Sequence, residues 1–326
     1  MRILITGGAG FIGSNFVRRL LLGAYPWFGR FEVVVLDKLT YAGNLANLAP
    51  VIDDPRLDFV RGDLCDTGLV DKVMRGVNTV VHFAAESHVD RSIDGGLAFV
   101  TTNIVGGYVL FDAARRHGAD ACVAVSTDEV YGSIDSGSWP EDHPLDPTSP
   151  YSASKASSDL LALSLHRTHG APVTIVRSSN NYGPYQYPEK VIPLFVTNLL
   201  DGRKVPLYGD GGNVREWTHV DDHCRGIALA AHKGRAGEVY NIGSGHTLSN
   251  LELTDALLRL TGNDRSMVEP VADRKGHDRR YSVDFGKITA ELGYRPEIPF
   301  ADGLAGTVQW YAENRAWWEP LRRATV

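Results

Sequence analysis

Cysteine is scarce in this chain. Only Cys65, Cys122 and Cys224 occur in 326 residues, an odd number with no C-x-x-C spacing. That excludes a disulfide framework and reads as free thiols of a reducing compartment. Positive charge is also in short supply, with 33 Lys plus Arg against 39 Asp plus Glu and a net charge of -6. A nucleic-acid binder has the opposite balance. No uninterrupted apolar run comes near the roughly 20 residues of a membrane span. The chain opens directly on "MRILITGG" instead of a charged leader with a cleavage site. The expectation is a cytoplasmic protein with no nucleic-acid or membrane partner.

What is present is 43% hydrophobic residues, enough for one large or two modest domains. The runs "RILIT", "EVVVLD", "LDFVRGD", "TVVHFAA", "ACVAVST" and "VTIVRSS" are β-branched and almost unbroken by polar residues. Stretches such as "FIGSNFVRRLLL" and "VGGYVLFDAARRHG" alternate with them and carry helical periodicity. Continuous apolar strands alternating with amphipathic helices predict an α/β fold, a doubly wound parallel sheet covered on both faces. Beyond about residue 182 Gly and Pro punctuate the chain, and fewer, more separated helices are expected in a smaller C-terminal cap. A cap over the carboxyl ends of the strands would form a ligand cleft.

"ITGGAGFIG" closes the first predicted strand and opens the first helix. Gly8, Gly10 and Gly13 fit G-x-G-x-x-G, while Gly7, Gly10 and Gly13 fit G-x-x-G-x-x-G. Glycines there let the backbone approach a diphosphate at the helix N-terminus. The second strand ends in Asp37, placed to take the adenosine ribose hydroxyls and to repel a 2′-phosphate, which favours NAD over NADP. Lys38 is the feature that could favour NADP instead. Asp63, in "RGDL", could reach the adenine or simply cap the following helix.

"YSASK" places Tyr151 and Lys155 at i,i+4 on one predicted helix face, with Ser126 and Thr127 upstream. An ammonium near a tyrosine stabilises its phenolate and makes it a usable base. "STDEVYG" puts Asp128 and Glu129 side by side at a strand end, where their repulsion pushes the two pKa values apart and yields one acid and one base. Adjacent residues of a regular strand face opposite ways, so the backbone must leave strand geometry there. Arg215, and Arg274 with Lys275, are cations suited to phosphate oxygens. "RKGHDRR" alone could be a nucleic-acid patch, but it stands isolated in an acidic chain. His219 and His223 have i,i+4 metal spacing without an adjacent glutamate or an evident third ligand, so no metal is expected. "WYAENRAWW" reads as a helix packing its tryptophans on the body or on a partner subunit.

Taken together, "GGAGFIG", "STDEVYG" and "YSASK" resemble the extended short-chain dehydrogenase/reductases that act on nucleotide-activated sugars. "DKLTYAGN", "AAESHVDRSI", "NNYGPYQYPEKVIP", "YGDGGNVREW", "NIGSG" and "DRKGHDRRY" extend the resemblance along essentially the whole chain. It implies an NAD-binding Rossmann domain over 1–182, with the chain returning near 220–244 and at the C-terminal helix, and a mainly nucleotide-sugar-binding domain over 183–326. The acid pair points within that group to dehydration of a dTDP-hexose, and not to epimerisation or decarboxylation. The resemblance makes Tyr151 the base for the 4-hydroxyl, supported by Lys155 and Thr127, with Asp128 the acid and Glu129 the base of elimination. On the cofactor it places Gly7, Gly10, Phe11, Ile12, Gly13, Asp37, Lys38, Thr40, Asp63 and Leu64. Ala84, Ala85, Thr102, Tyr151, Lys155 and Asn181 complete that set. The substrate set it implies is Ser87, Thr127, Asn180, Lys190, Pro206, Tyr208, Arg215, Asn250, Arg274 and His277, and a homodimer through a four-helix contact is implied too. The chain departs from the family pattern at Lys275, where proline is expected, and at Thr218 and His219.

Overall fold

The structure, a computed structural model, describes residues 1–273 and 276–323. Its centre is a seven-stranded sheet. The strands are β1 (Arg2–Thr6), β2 (Glu32–Asp37), β3 (Leu57–Arg61), β4 (Thr79–His82), β5 (Ala121–Thr127), β6 (Val173–Ser178) and, after β7 (Asn180–Tyr182), β8 (Val205–Tyr208) and β9 (Val214–His219), β10 (Val239–Ile242). The order is β10-β6-β5-β4-β1-β2-β3 and every pairing is parallel. Alternate residues of β1 serve opposite faces, as a pleated strand requires. Ile3 and Ile5 join a cluster with Phe16, Val17 and Leu20 of α1 (Phe11–Leu21), while Leu4 joins another with Val70 of α2 (Thr67–Val73). Both faces are therefore apolar, which explains the unbroken hydrophobic runs.

The strand order reverses between β1 and β4, the place where such sheets bind ligands at their carboxyl ends. Thr6 and His82 end those two strands, and the Thr6 hydroxyl meets His82 Nδ1 at 2.7 Å.

After α3 (Val89–Asp94), α4 (Leu97–Phe99) runs through a π-helical stretch, Val100–Gly106, into α5 (Gly107–Arg116). An 18-residue stretch within Leu97–Arg116 has a mean hydropathy of 1.4, enough by length and composition for a membrane span, as the buried core helix of a folded domain also can have. Thr101, Thr102 and Asn103 break the run to the eye without lowering its average enough. Its inner side packs on α6 (Pro150–His169), where Asn103 donates to Ser154 Oγ at 2.8 Å. Its other side leaves Leu97, Val100, Val105 and Tyr108 exposed.

Among the described residues the remainder holds as many named helices as the first half, against the expectation of fewer: α7 (Val191–Leu200), α8 (Val220–Lys233), α9 (Asn250–Leu260), α10 (Gly286–Leu292), α11 (Phe300–Glu313) and α12 (Arg315–Arg323). Gly and Pro lie in the connections and also inside helices, as at Pro193, Gly226, Gly303 and Pro320, so they do not mark where the helices end. α8 lies against the sheet, with Ile227 beside Ile3 and Ile5 in one cluster. β7, β9 and β11 (Thr247–Ser249) make a small sheet, and β8 pairs with β12 (Val268–Val271). Around them Phe195, Leu253, Leu257, Leu304 and Trp318 form a separate core over the strand ends. The C-terminal tryptophans pack on the body: Trp318 is fully buried, and Trp317 Nε1 donates to Asn47 Oδ1 at 3.0 Å.

Candidate active site

The cap and the sheet enclose one cavity of about 490 Å³, within the range of small-molecule sites. Every catalytic, cofactor and substrate residue that the resemblance implied lines it, except Arg274, which with Lys275 lies outside the described residues. Seven of the thirteen buried side-chain polar atoms without a hydrogen-bond partner among the described residues also belong to this lining: those of Ser126, Asp128, Asn180, Asn181, Gln186, Glu189 and Trp217. Unpaired buried polar atoms are rare in folded proteins. Their concentration here marks a place built for a polar ligand.

At the floor, Gly7 has φ +69°, and a Cβ there would lie 2.5 Å from Ala84 N. A Cβ on Gly13 would strike the Gly7 carbonyl. Gly7, Gly10 and Gly13 line the cavity, whereas Gly8 faces away onto Val35. The second of the two glycine patterns is thus the one that forms the cradle, at the N-terminus of α1. Asp37 is buried at the end of β2, and its two oxygens accept from Ala9 N at 2.9 Å and Leu39 N at 2.8 Å. Burial raises its pKa, opposed by those two bonds. Lys38 Nζ pairs with Asp63 Oδ2 at 2.6 Å, and Asp63 Oδ1 accepts from Cys65 N. Asp66, not Asp63, caps α2. A glycine cradle at a helix N-terminus with a carboxylate at the next strand end fits a dinucleotide.

At the end of β5 the chain turns sharply. Thr127 is the last strand residue and Asp128–Tyr131 forms a 3-10 turn, so the backbone leaves strand geometry where the acid pair begins. Gly132, φ +79°, closes that turn. Thr127 Oγ1 donates to Asp128 Oδ1 and accepts from Glu129 N, both at 3.3 Å. Asp128 is only 3% exposed. Burial, then the charges of Glu129 and Glu216, push its pKa well above the carboxylate range, against Arg215 and the Thr127 hydroxyl. Glu216 is fully buried on β9, where Ser244 N and Gly245 N bond its Oε1.

Tyr151 and Lys155 come from the first turns of α6, which starts with Ser149 and Ser152 in a capping box and Pro150 at its first position. Burial first, then the Glu129 charge, raises the Tyr151 pKa, while a hydrogen bond with Thr127 lowers it. Lys155 Nζ donates to Val125 O at 2.7 Å, and burial lowers its own pKa, opposed by Asp159.

At the cap end, Arg215 lies 4.3 Å over the Tyr281 ring and donates to Val214 O and Asp278 O. His277 meets Asp273 at 2.6 Å, and Lys190 Nζ donates to Ser87 O at 2.9 Å. Sequence reasoning passed over Tyr281 and Glu189, both in the lining. Tyr41 donates to Glu189 at 3.0 Å, Arg91 lies 3.8 Å over the Tyr41 ring, and His88 is 3.6 Å from Glu189. Glu189 stands next to Lys190 in "YPEK", and that adjacency was its only signal in the sequence.

A doubly wound parallel sheet, a glycine cradle and a Tyr-Lys helix bordering the same cleft define an extended short-chain dehydrogenase/reductase. The chain belongs to the GDP-mannose 4,6 dehydratase family, whose model matches residues 4–307. It is 61% identical over 320 residues to a dTDP-glucose 4,6-dehydratase of an Actinoplanes species, covering 98% of this chain and 100% of that one. A dTDP-glucose 4,6-dehydratase of Streptomyces venezuelae, solved with NAD and dTDP bound, is 66% identical, with a TM-score of 0.97 over 98% of this chain and 100% of that one. Another, from Bacillus anthracis and solved with NAD, is 47% identical, with a TM-score of 0.91 over 98% and 99% of the two chains.

Proposed function

We propose that this chain is a hydro-lyase that converts dTDP-glucose to dTDP-4-keto-6-deoxyglucose with a recycled NAD. The observation that carries the reading is Asp128: a buried carboxyl, one oxygen unpaired among the described residues, beside Glu129 and in the same cavity as Tyr151 and the glycine cradle.

A hydrogen on sugar C5 is not acidic, and the 6-hydroxyl is a poor leaving group. Tyr151 removes the proton of the 4-hydroxyl as hydride leaves C4, and the resulting ketone makes C5–H acidic. NAD, which Gly7, Gly10, Gly13 and Asp37 would hold, would supply the hydride acceptor. Glu129 then takes the C5 proton while Asp128, held neutral by its burial and by neighbouring carboxylates, protonates the departing 6-hydroxyl as water. The hydride returns to C6 and a proton to C5, so the cofactor ends as it began. Thr127 spans the acids and the tyrosine. Gly7, Gly10, Gly13 and Asp37 suit the dinucleotide; Asn180, Lys190, Arg215, Asn250 and His277 suit the nucleotide sugar.

A 4-epimerase or decarboxylase of the same superfamily shares Tyr151 and Lys155 but has no use for a neutral carboxyl at Asp128. A silent NAD-binding regulator has no use for an intact Tyr-Lys pair.

In this reading the cofactor unit comprises residues 1–182, the return over 220–244 and the C-terminal helix, and the rest of 183–326 is mainly the substrate unit. Leu97 and Tyr108, with Leu160 of α6, give the exposed apolar face of two adjacent helices. Two such faces make a four-helix contact in a homodimer. A cytoplasmic location, without membrane or nucleic acid, goes with a nucleotide-sugar substrate.

The test is incubation with dTDP-glucose, then UDP-glucose, at substoichiometric NAD, with products identified by mass and NMR. The expected result is a 4-keto-6-deoxy product from dTDP-glucose with no net NADH. NADH growing in proportion to product would instead mark an ordinary sugar dehydrogenase.

A further inference from the structure

Among the described residues only two that are not glycine hold φ in the left-handed region, Leu39 at 56° and Tyr185 at 66°. Leu39 serves the cofactor floor, where its amide donates to Asp37. No step above uses Tyr185. A bulky L-residue is disfavoured there by roughly tenfold in population, so something must hold it.

The ring is what is held. The Arg18 guanidinium lies 4.1 Å from its centre, and the Trp310 and Trp317 rings lie 4.5 Å and 5.5 Å away. Arg18 comes from α1 and is itself buried. It donates to neutral groups, Asn47 O at 2.6 Å and Ser14 Oγ and Asn15 Oδ1 at 3.1 Å. A buried guanidinium bonded to neutral oxygens gains from lying over an aromatic face. Asn47 ties the seat together, since its carbonyl accepts from Arg18 and its side-chain oxygen from Trp317.

Tyr185 stands in the connection between β7 and α7, which gives Gln186, Tyr187, Glu189 and Lys190 to the cavity, while Tyr185 itself is outside the lining. Gln186 Nε2 donates to Asn181 O at 3.0 Å, and Gln186 O accepts from the Tyr311 hydroxyl. A left-handed residue redirects the chain within one step, so the φ of Tyr185 decides which way the next residues face. With φ negative they would turn from the cavity, and a ligand would have to drive them back.

We propose that Tyr185, seated between Arg18, Trp310 and Trp317, is a positioning residue for the nucleotide sugar: its ring holds the left-handed backbone that aims Gln186 through Lys190 into the site. The inference rests on the substrate reading given above.

The test compares KM and kcat for dTDP-glucose in three variants, with thermal unfolding as a check on folding. Tyr185→Phe keeps the ring and is expected to match the parent. Tyr185→Ala loses the ring but keeps the left-handed penalty, so the competent loop becomes a minor population. Its KM is expected to rise about tenfold, with kcat within about threefold of the parent. Tyr185→Gly loses the same ring without the penalty, because glycine takes φ of either sign, and its KM is expected to return to within about threefold. A ring that only fills space predicts the other order, with glycine at least as harmful as alanine. That order, an unchanged KM in Tyr185→Ala, or a fall in kcat at unchanged KM overturns the proposal. Should Tyr185→Ala not fold, Arg18→Met opens one wall of the seat and is expected to raise KM, and adding Tyr185→Gly is expected to bring it back; no return contradicts the proposal. Failure of the substrate reading is distinct and overturns the proposal with it: the unaltered protein would then form no 4-keto-6-deoxy product.

Discussion

The hydroxyl of Thr127 donates to the carboxyl of Asp128 at 3.3 Å, within a turn that hides Asp128 from water. A buried carboxyl with a raised pKa is neutral when the protein folds and resists ionising as pH rises. Its contribution to stability is therefore fully present below the unfolded value near 4 and is lost as pH rises toward the folded value. Asp128→Asn removes this liability. The variant is expected to be more stable than the parent by about 1 kcal/mol or more at pH 8, with the gap closing toward pH 4. Thermal unfolding at several pH values measures it, and a pH-independent difference contradicts the assignment.

The acids and the tyrosine act at different stages, so their losses differ in kind. Tyr151→Phe is expected to abolish formation of enzyme-bound NADH. Asp128→Asn and Glu129→Gln are expected to form it and stop, with turnover down roughly 10²–10⁴-fold. Rapid-scan absorbance on mixing with dTDP-glucose separates the two patterns. Near-normal turnover in all three variants is the outcome that sinks the site.

Cofactor choice is expected to depend on two carboxylates together. Asp37→Ser loses acceptors for Ala9 N and Leu39 N and should weaken NAD binding about tenfold. It gains little for NADP, because Lys38 stays bound to Asp63. Asp37→Ser with Asp63→Ser frees Lys38 and should favour NADP, measurable by calorimetric titration of the cofactor-stripped protein. Equal NADP affinity in the single and double variants contradicts the role given to that ion pair.

Much of this was legible in the sequence, because the main signals are local. All six predicted strands stand where their β-branched runs stand, and the turn at Asp128 follows from two adjacent acids that must both face one cleft. The choice between the glycine patterns was not legible, since it depends on Ala84, just after β4, lying against Gly7. The number of helices in the second half was lost because Gly and Pro stand inside several of them, as at Gly226 and Pro320. Glu189 and Tyr281 escaped because their meaning comes from partners far along the chain, Tyr41 and Arg215. Lys155 was expected to stabilise the Tyr151 phenolate; its ammonium donates to Val125 O, while burial and the charge of Glu129 raise the phenol's pKa.

The apolar face of α4, α5 and α6 is expected to carry the subunit contact. Leu97 and Leu160 are 78% and 59% exposed, and an aspartate at both positions should turn the dimer into a monomer in sedimentation equilibrium. A parent protein that is already monomeric at micromolar concentration contradicts that contact.

Transfer of one hydrogen within one sugar tests the central claim most directly. Substrate deuterated at C4 is mixed with an unlabelled copy of shifted mass, and the products are analysed by mass and NMR. The glycine cradle, the acid pair and Tyr151 line one cavity, so in this account the hydride stays with its own sugar while water leaves. The account predicts deuterium at C6 of the same molecule, no crossover between copies, and solvent deuterium at C5 when the reaction runs in heavy water. Label that remains at C4, or that scrambles between the two copies, contradicts it.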